Sequence, residues 1–67
     1  MFKATITEEM SHQTRIEWII ARDETHLEQI RIAARQACGK GSSQTIVTAP
    51  YRGKLAPGHG KTRYVKA

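Results

Sequence analysis

The sequence predicts an α+β fold, a small and mainly antiparallel sheet with one helix packed on one face, in the order β-β-α-β-β with a short last strand. Three observations predict it. Two apolar/polar alternations of period two open the chain, one stretch with three- and four-residue apolar spacing follows, and a β-branched run then precedes a segment dense in glycine and proline. The 67 residues suit a single small domain spanning 1–67. A domain of that size buries only about 60% of its unfolded-chain surface, so self-association is an expected source of further burial.

The elements follow in order. Phe2, Ala4 and Ile6 alternate with Lys3, Thr5 and Thr7, the pattern of a strand with one buried face. Glu8 to Gln13 is polar and turn-like. From Thr14 to Arg22 a second alternation sets Ile16, Trp18 and Ile20 on one face and Arg15, Glu17, Ile19 and Ala21 on the other. Its β-branched and aromatic residues favour strand over helix, and the two strands are expected to pair as an antiparallel hairpin with a rather long loop. Thr25-His26-Leu27-Glu28 reads as a capping box that starts a helix running to about Cys38. Leu27, Ile30, Ala34, Ala37 and Cys38 form its apolar stripe, and Gly39 suits a left-handed cap. Gln44 to Ala49 reads as the third strand and Thr62 to Lys66 as the fourth. Residues 50–61, with both prolines and three of the five glycines, read as a flexible basic loop.

The expected core comprises Phe2, Ala4, Ile6, Ile16, Trp18, Ile20, Leu27, Ile30 and Ala34, completed by Ile46 or Val47 and by Tyr64 or Val65 according to register. Ile19 and Ile32 remain over, and the pattern assigns them to a homodimer contact.

Charge is the strongest functional signal. All six carboxylates lie between Glu8 and Glu28, so residues 1–28 carry a net charge of −3 and residues 29–67 a net charge of +8. A cationic half without internal counter-ions repels itself unless an anionic partner neutralises it. Arg52, Lys54, His59, Lys61, Arg63 and Lys66 gather with Tyr51 and Tyr64 around the glycine-rich loop, and Arg31 and Arg35, one helical turn apart, extend the set with Lys40. Lysine and arginine neutralise phosphates, glycines allow close backbone approach and tyrosines stack on exposed bases. These eleven residues form the expected nucleic-acid-binding set, with DNA or RNA as partner. The alternative is a protein-binding modulator that docks the same basic face on an acidic partner protein.

Other chemistries find less support. Pro57-Gly58-His59-Gly60-Lys61-Thr62 ends like a phosphate-binding P-loop, but Leu55 stands where that motif requires its first glycine. His12, His26 and His59 titrate near neutrality by residue type, yet none lies beside an evident nucleophile. The lone Cys38 closes no intrachain disulfide, and its spacing from the histidines does not resemble a zinc site. No catalytic residue, metal or cofactor is therefore expected. The alternating Phe2 to Thr7 does not resemble a secretory signal, and Ile16 to Ala21 is too short to span a bilayer, so a cytoplasmic protein without membrane contact is expected.

Overall fold

The computed structural model describes residues 1–66 and follows the expected order: β1 (Phe2–Glu9), β2 (Gln13–Ala21), α1 (Glu24–Ala37), β3 (Ser43–Pro50) and β4 (Gly60–Lys66). The four strands form one antiparallel sheet in the spatial order β3-β1-β2-β4, and α1 packs on its central pair. The fold is α+β. The hairpin loop is shorter than its polar sequence suggests, because Met10 N–H donates to the Gln13 carbonyl at 2.9 Å and closes the turn within three residues.

Register decides which side chains meet the helix. Phe2 pairs with Ala21, Ala4 with Ile19, Ile6 with Glu17 and Glu8 with Arg15, and directly opposed residues share a face. The helix side of β2 is therefore Arg15, Glu17, Ile19 and Ala21, which reverses the expected assignment of Ile16, Trp18 and Ile20 to the core beneath the helix. The reason is steric. Ala4, Ala21 and Ala34 are small buried residues that let α1 lie close to the sheet, with Ile6, Leu27 and Ile30 completing the cluster; a tryptophan in that layer would hold the helix away. Each of the larger side chains contributes roughly 1.5 to 3 kcal/mol on burial. Ile19 packs against this cluster, as do Phe2 and Ile46, so the Ile19 side chain is already occupied within the chain. Ile32 stays 49% exposed. Of the pairs left open by register, Ile46 joins the core and Val47 does not; Tyr64, on the helix side of β4, is exposed because α1 packs on β1 and β2, and Val65 is exposed on the opposite face, which has no helix.

The helix boundaries also differ in detail. Asp23, not Thr25, is the N-cap: its Oδ1 accepts from the His26 amide at 2.9 Å, while His26 Nδ1 accepts from the Arg22 amide at 2.9 Å. His26 stands at the third helical position, where a capping box has glutamate, but its ring nitrogen reaches back to the amide of the residue before the cap and not to that of Asp23 itself. At the other end Cys38 leaves the helix in extended conformation, and Gly39 is not left-handed; Gly41, with φ of 80°, is. Ala37, expected on the apolar stripe, is exposed.

A polar row across the sheet accounts for that exit. Gln44, Glu8 and Arg15 lie side by side on β3, β1 and β2. Gln44 Nε2 donates to the Ala34 carbonyl at 2.9 Å, which caps the last turn of α1 from the sheet. Glu8, only 4% exposed, accepts from Arg15 Nη2 at 2.9 Å and from the Gly39 amide at 3.2 Å. The Gly39 amide first, and then the Arg15 guanidinium, hold the Glu8 carboxyl below the usual glutamate range despite the opposing effect of burial. The His26 amide, ahead of Arg22, lowers Asp23 in the same way.

Two expectations follow. Both carboxyls are stronger acids folded than unfolded, so their stabilisation is complete above the ordinary range of about 3.9 to 4.3 and is lost as pH falls through the lowered folded values. Thermal denaturation followed downward from neutral pH should show stability falling only below that range, with Glu8→Gln removing part of the decline. In Gly60→Ala, the new Cβ would collide with the Trp18 carbonyl oxygen and lie 3.3 Å from Ile19 Cα. Its melting temperature should drop by an amount matching about 1 to 3 kcal/mol, whereas Gly39→Ala, whose nearest neighbour is at 3.5 Å, should melt close to the parent.

Candidate nucleic-acid interface

One face of the sheet has no helix. Along each strand the residues that alternate with the core set point to it, and the pairing of Thr5 with Val47 and Trp18, and of Trp18 with Lys61, aligns Val47, Thr5, Trp18 and Lys61 in a row across all four strands. The next row is Thr45, Thr7, Ile16 and Arg63. β3 shows the division directly: Gln44, Ile46 and Thr48 are half-buried, while Ser43, Thr45, Val47 and Ala49 are exposed. Uncovered surface is also visible in the total. The accessible area is 4898 Å², against about 4,200 Å² for a compact monomer of this mass.

The segment between β3 and β4 closes one end of this face. Tyr51 N–H donates to the Met1 carbonyl at 2.9 Å, Gly58 N–H to the Ile20 carbonyl at 2.8 Å, and Ile20 N–H to the His59 carbonyl at 2.9 Å. Ile20 is fully buried although it points away from α1, because this crossing segment lies over it. Tyr51 is half-buried and its hydroxyl accepts from the Leu55 amide at 3.2 Å. A Cβ at Gly53 would overlap the Tyr51 ring, so glycine there is a requirement of close approach. The loop expected to be flexible thus has its own hydrogen bonds, and its tyrosine is used internally.

Trp18 stands near the middle of the open face. Lys3 Nζ lies 4.9 Å from its ring centroid, a cation–π contact. The His59 ring sits 6.5 Å away at an interplanar angle of 32°. On its other flank a groove of about 160 Å³ runs between β2 and β4, lined by Ile16, Trp18, Lys61, Thr62 and Arg63. The floor is apolar and the rim is cationic. Lys3, Lys61 and Arg63 form no ion pair among the described residues, where the bridges join Arg15 to Glu8 and Glu17, Arg22 to Asp23, and Arg31 to Glu28.

The eleven expected contact residues do not form one surface. Lys61, Arg63 and His59 meet at the open face, and Arg52 and Lys54 are exposed on the segment that closes its end. Tyr64 and Lys66 alternate to the helix side of β4. Arg31 and Arg35 are carried by α1 on the far side of the sheet, with Arg31 bonded to Glu28 at 3.5 Å, and Lys40 follows the helix. Lys3 and Trp18 were not in the expected set. Lys3 belongs to the acidic half of the sequence, and Trp18 has apolar neighbours on both faces of its strand; only the hairpin register reveals that they converge.

Comparison with protein-family models, with curated proteins and with solved structures returned no match, so the functional reading rests on this chain's own geometry. Among the described residues no three histidine, cysteine, aspartate or glutamate side chains are grouped to hold a metal ion. Nor is any helix among the described residues long and apolar enough to cross a membrane.

The loop geometry makes a direct expectation. Tyr51→Phe removes the acceptor of the Leu55 amide and should speed its hydrogen exchange about fivefold, the equivalent of a hydrogen bond contributing about 1 kcal/mol. Unchanged exchange at Leu55 would show that this bond does not hold the loop.

Proposed function

We propose that this protein is a small nucleic-acid-binding accessory protein that engages phosphates through the open face of its sheet. The observation that carries the reading is the group Lys3, Lys61 and Arg63 around Trp18, three cations without carboxylate partners among the described residues on the face that the helix leaves bare. Desolvating such a group without an anion is unfavourable, and a phosphate backbone supplies anions at regular intervals. Arg52 and Lys54, on the segment bordering the face, add to the same field. The cations on α1 belong to the opposite side and serve solubility and long-range attraction rather than contact.

Salt tests the reading. With about five cations engaged, affinity for an oligonucleotide should fall roughly 100- to 500-fold between about 50 and 200 mM salt. Lys61→Ala combined with Arg63→Ala should weaken all sequences alike and flatten the salt slope by about two contacts. A flat salt response, or recovery of the same acidic protein from nuclease-treated lysate with no bound nucleic acid, would overturn the proposal in favour of a protein partner.

A further inference from the structure

We infer that the ligand is single-stranded nucleic acid, with one base stacked on Trp18 and the flanking phosphates held by Lys3 from one side and by Lys61 and Arg63 from the other. This rests on the nucleic-acid reading above and narrows it. The first support is the position of Trp18. The layer under α1 is filled by Ile19 and Ala21 from the same strand, so the indole is not a core residue beneath the helix; it is a half-buried ring on the uncovered face. Stacking on such a ring needs a base whose own face is free, and the bases of a duplex are already stacked on one another.

Dimensions agree. The groove beside Trp18 holds about 160 Å³, about half the lower limit of pockets for drug-sized ligands, which suits one planar ring system. Its floor, from Ile16 and Trp18, matches an apolar ring face, and its rim, from Lys61, Thr62 and Arg63, matches phosphate and sugar hydroxyls. A four-stranded sheet measures about 14 Å between its outer strands, wider than the major groove of about 12 Å, and no helix or ribbon projects from this face to enter one. A flexible single strand can lie across it.

Lys3 supplies a cation from the opposite flank. In the free protein its ammonium lies against the Trp18 ring from the β1 side, whereas the groove opens between β2 and β4. A base seated in the groove leaves that contact in place, and its flanking phosphate offers an anion to an ammonium that has no carboxylate partner among the described residues. Thr5 and Thr7, on the neighbouring strand of the same face, present hydroxyls that bond to base or sugar without demanding a particular sequence. Nothing on this face selects between ribose and deoxyribose, and the shared chemistry is an unpaired base with its phosphates.

The chain has one tryptophan, so its intrinsic fluorescence reports this site alone. Oligothymidylate and oligouridylate of about 12 nucleotides, a length one small domain can cover, should quench Trp18 emission at low salt and bind at least about tenfold tighter than a duplex of equal length. Trp18→Leu should weaken single-strand binding about 5- to 150-fold with an unchanged salt slope, and Trp18→Phe should retain most of the affinity. Quenching and strand competition use the unaltered protein, so they decide the matter even if a variant misfolds. Single-strand binding without quenching, or equal or tighter binding of duplex, would overturn this inference and leave the broader reading standing. Failure to bind any of the three nucleic acids would overturn both.

Discussion

One helix cannot cover two faces of a sheet. The fourteen residues of α1 lie over β1 and β2 on one side, and every other property of the molecule adjusts to that shortage. Among the described residues the core is confined to seven buried apolar side chains, of which Ile20 lies on the other face. The open side is closed at one end by the β3–β4 segment and otherwise carries threonines, half-buried Ile16 and Trp18, and cations. With extents of 34 × 20 × 15 Å, the chain is two layers thick and no more.

Polar groups do work that a larger core would otherwise perform. The row Gln44, Glu8 and Arg15 holds the end of α1 to the sheet through the Ala34 carbonyl, one of the last four that a helix C-terminus leaves unpaired, and through the Gly39 amide just beyond the helix. No buried side-chain nitrogen or oxygen among the described residues lacks a partner. The outer strands raise a different problem, since exposed edges invite pairing with another chain. Lys61, Arg63 and Lys66 on β4 and Pro50 at the end of β3 oppose such addition. Lys61 and Arg63 therefore serve two purposes at once, keeping the edge unpaired and supplying charge to the open face.

The fold was legible in the sequence because each element has its own period: the alternation of Phe2 to Thr7, the stripe of Leu27, Ile30 and Ala34, and the β-branched run at Thr45 to Thr48. The register was not legible. β2 is apolar on both faces, and alternation alone cannot say whether Trp18 or Ile19 turns toward the helix; the small buried alanines and the Glu8–Arg15 pair decide it. The same ambiguity concealed the candidate site. The charge boundary pointed to Lys61 and Arg63, but it also drew in Arg31 and Arg35, which α1 carries to the far side, and it left out Lys3, which strand pairing places against Trp18. The chosen cap depends on an equally local detail, because only coordinates show His26 Nδ1 turned back to the Arg22 amide.

The helix-free side of the sheet is the proposed binding surface. Titrating the isotopically labelled protein with single-stranded oligonucleotide while recording backbone amide and indole N–H chemical shifts tests it most directly. The largest changes should fall on Lys3, Thr5, the Trp18 indole, Lys61 and Arg63, with the outward face of α1 at Arg35 and Gln36 unmoved. Changes concentrated on α1, with the Trp18 indole stationary, would contradict it.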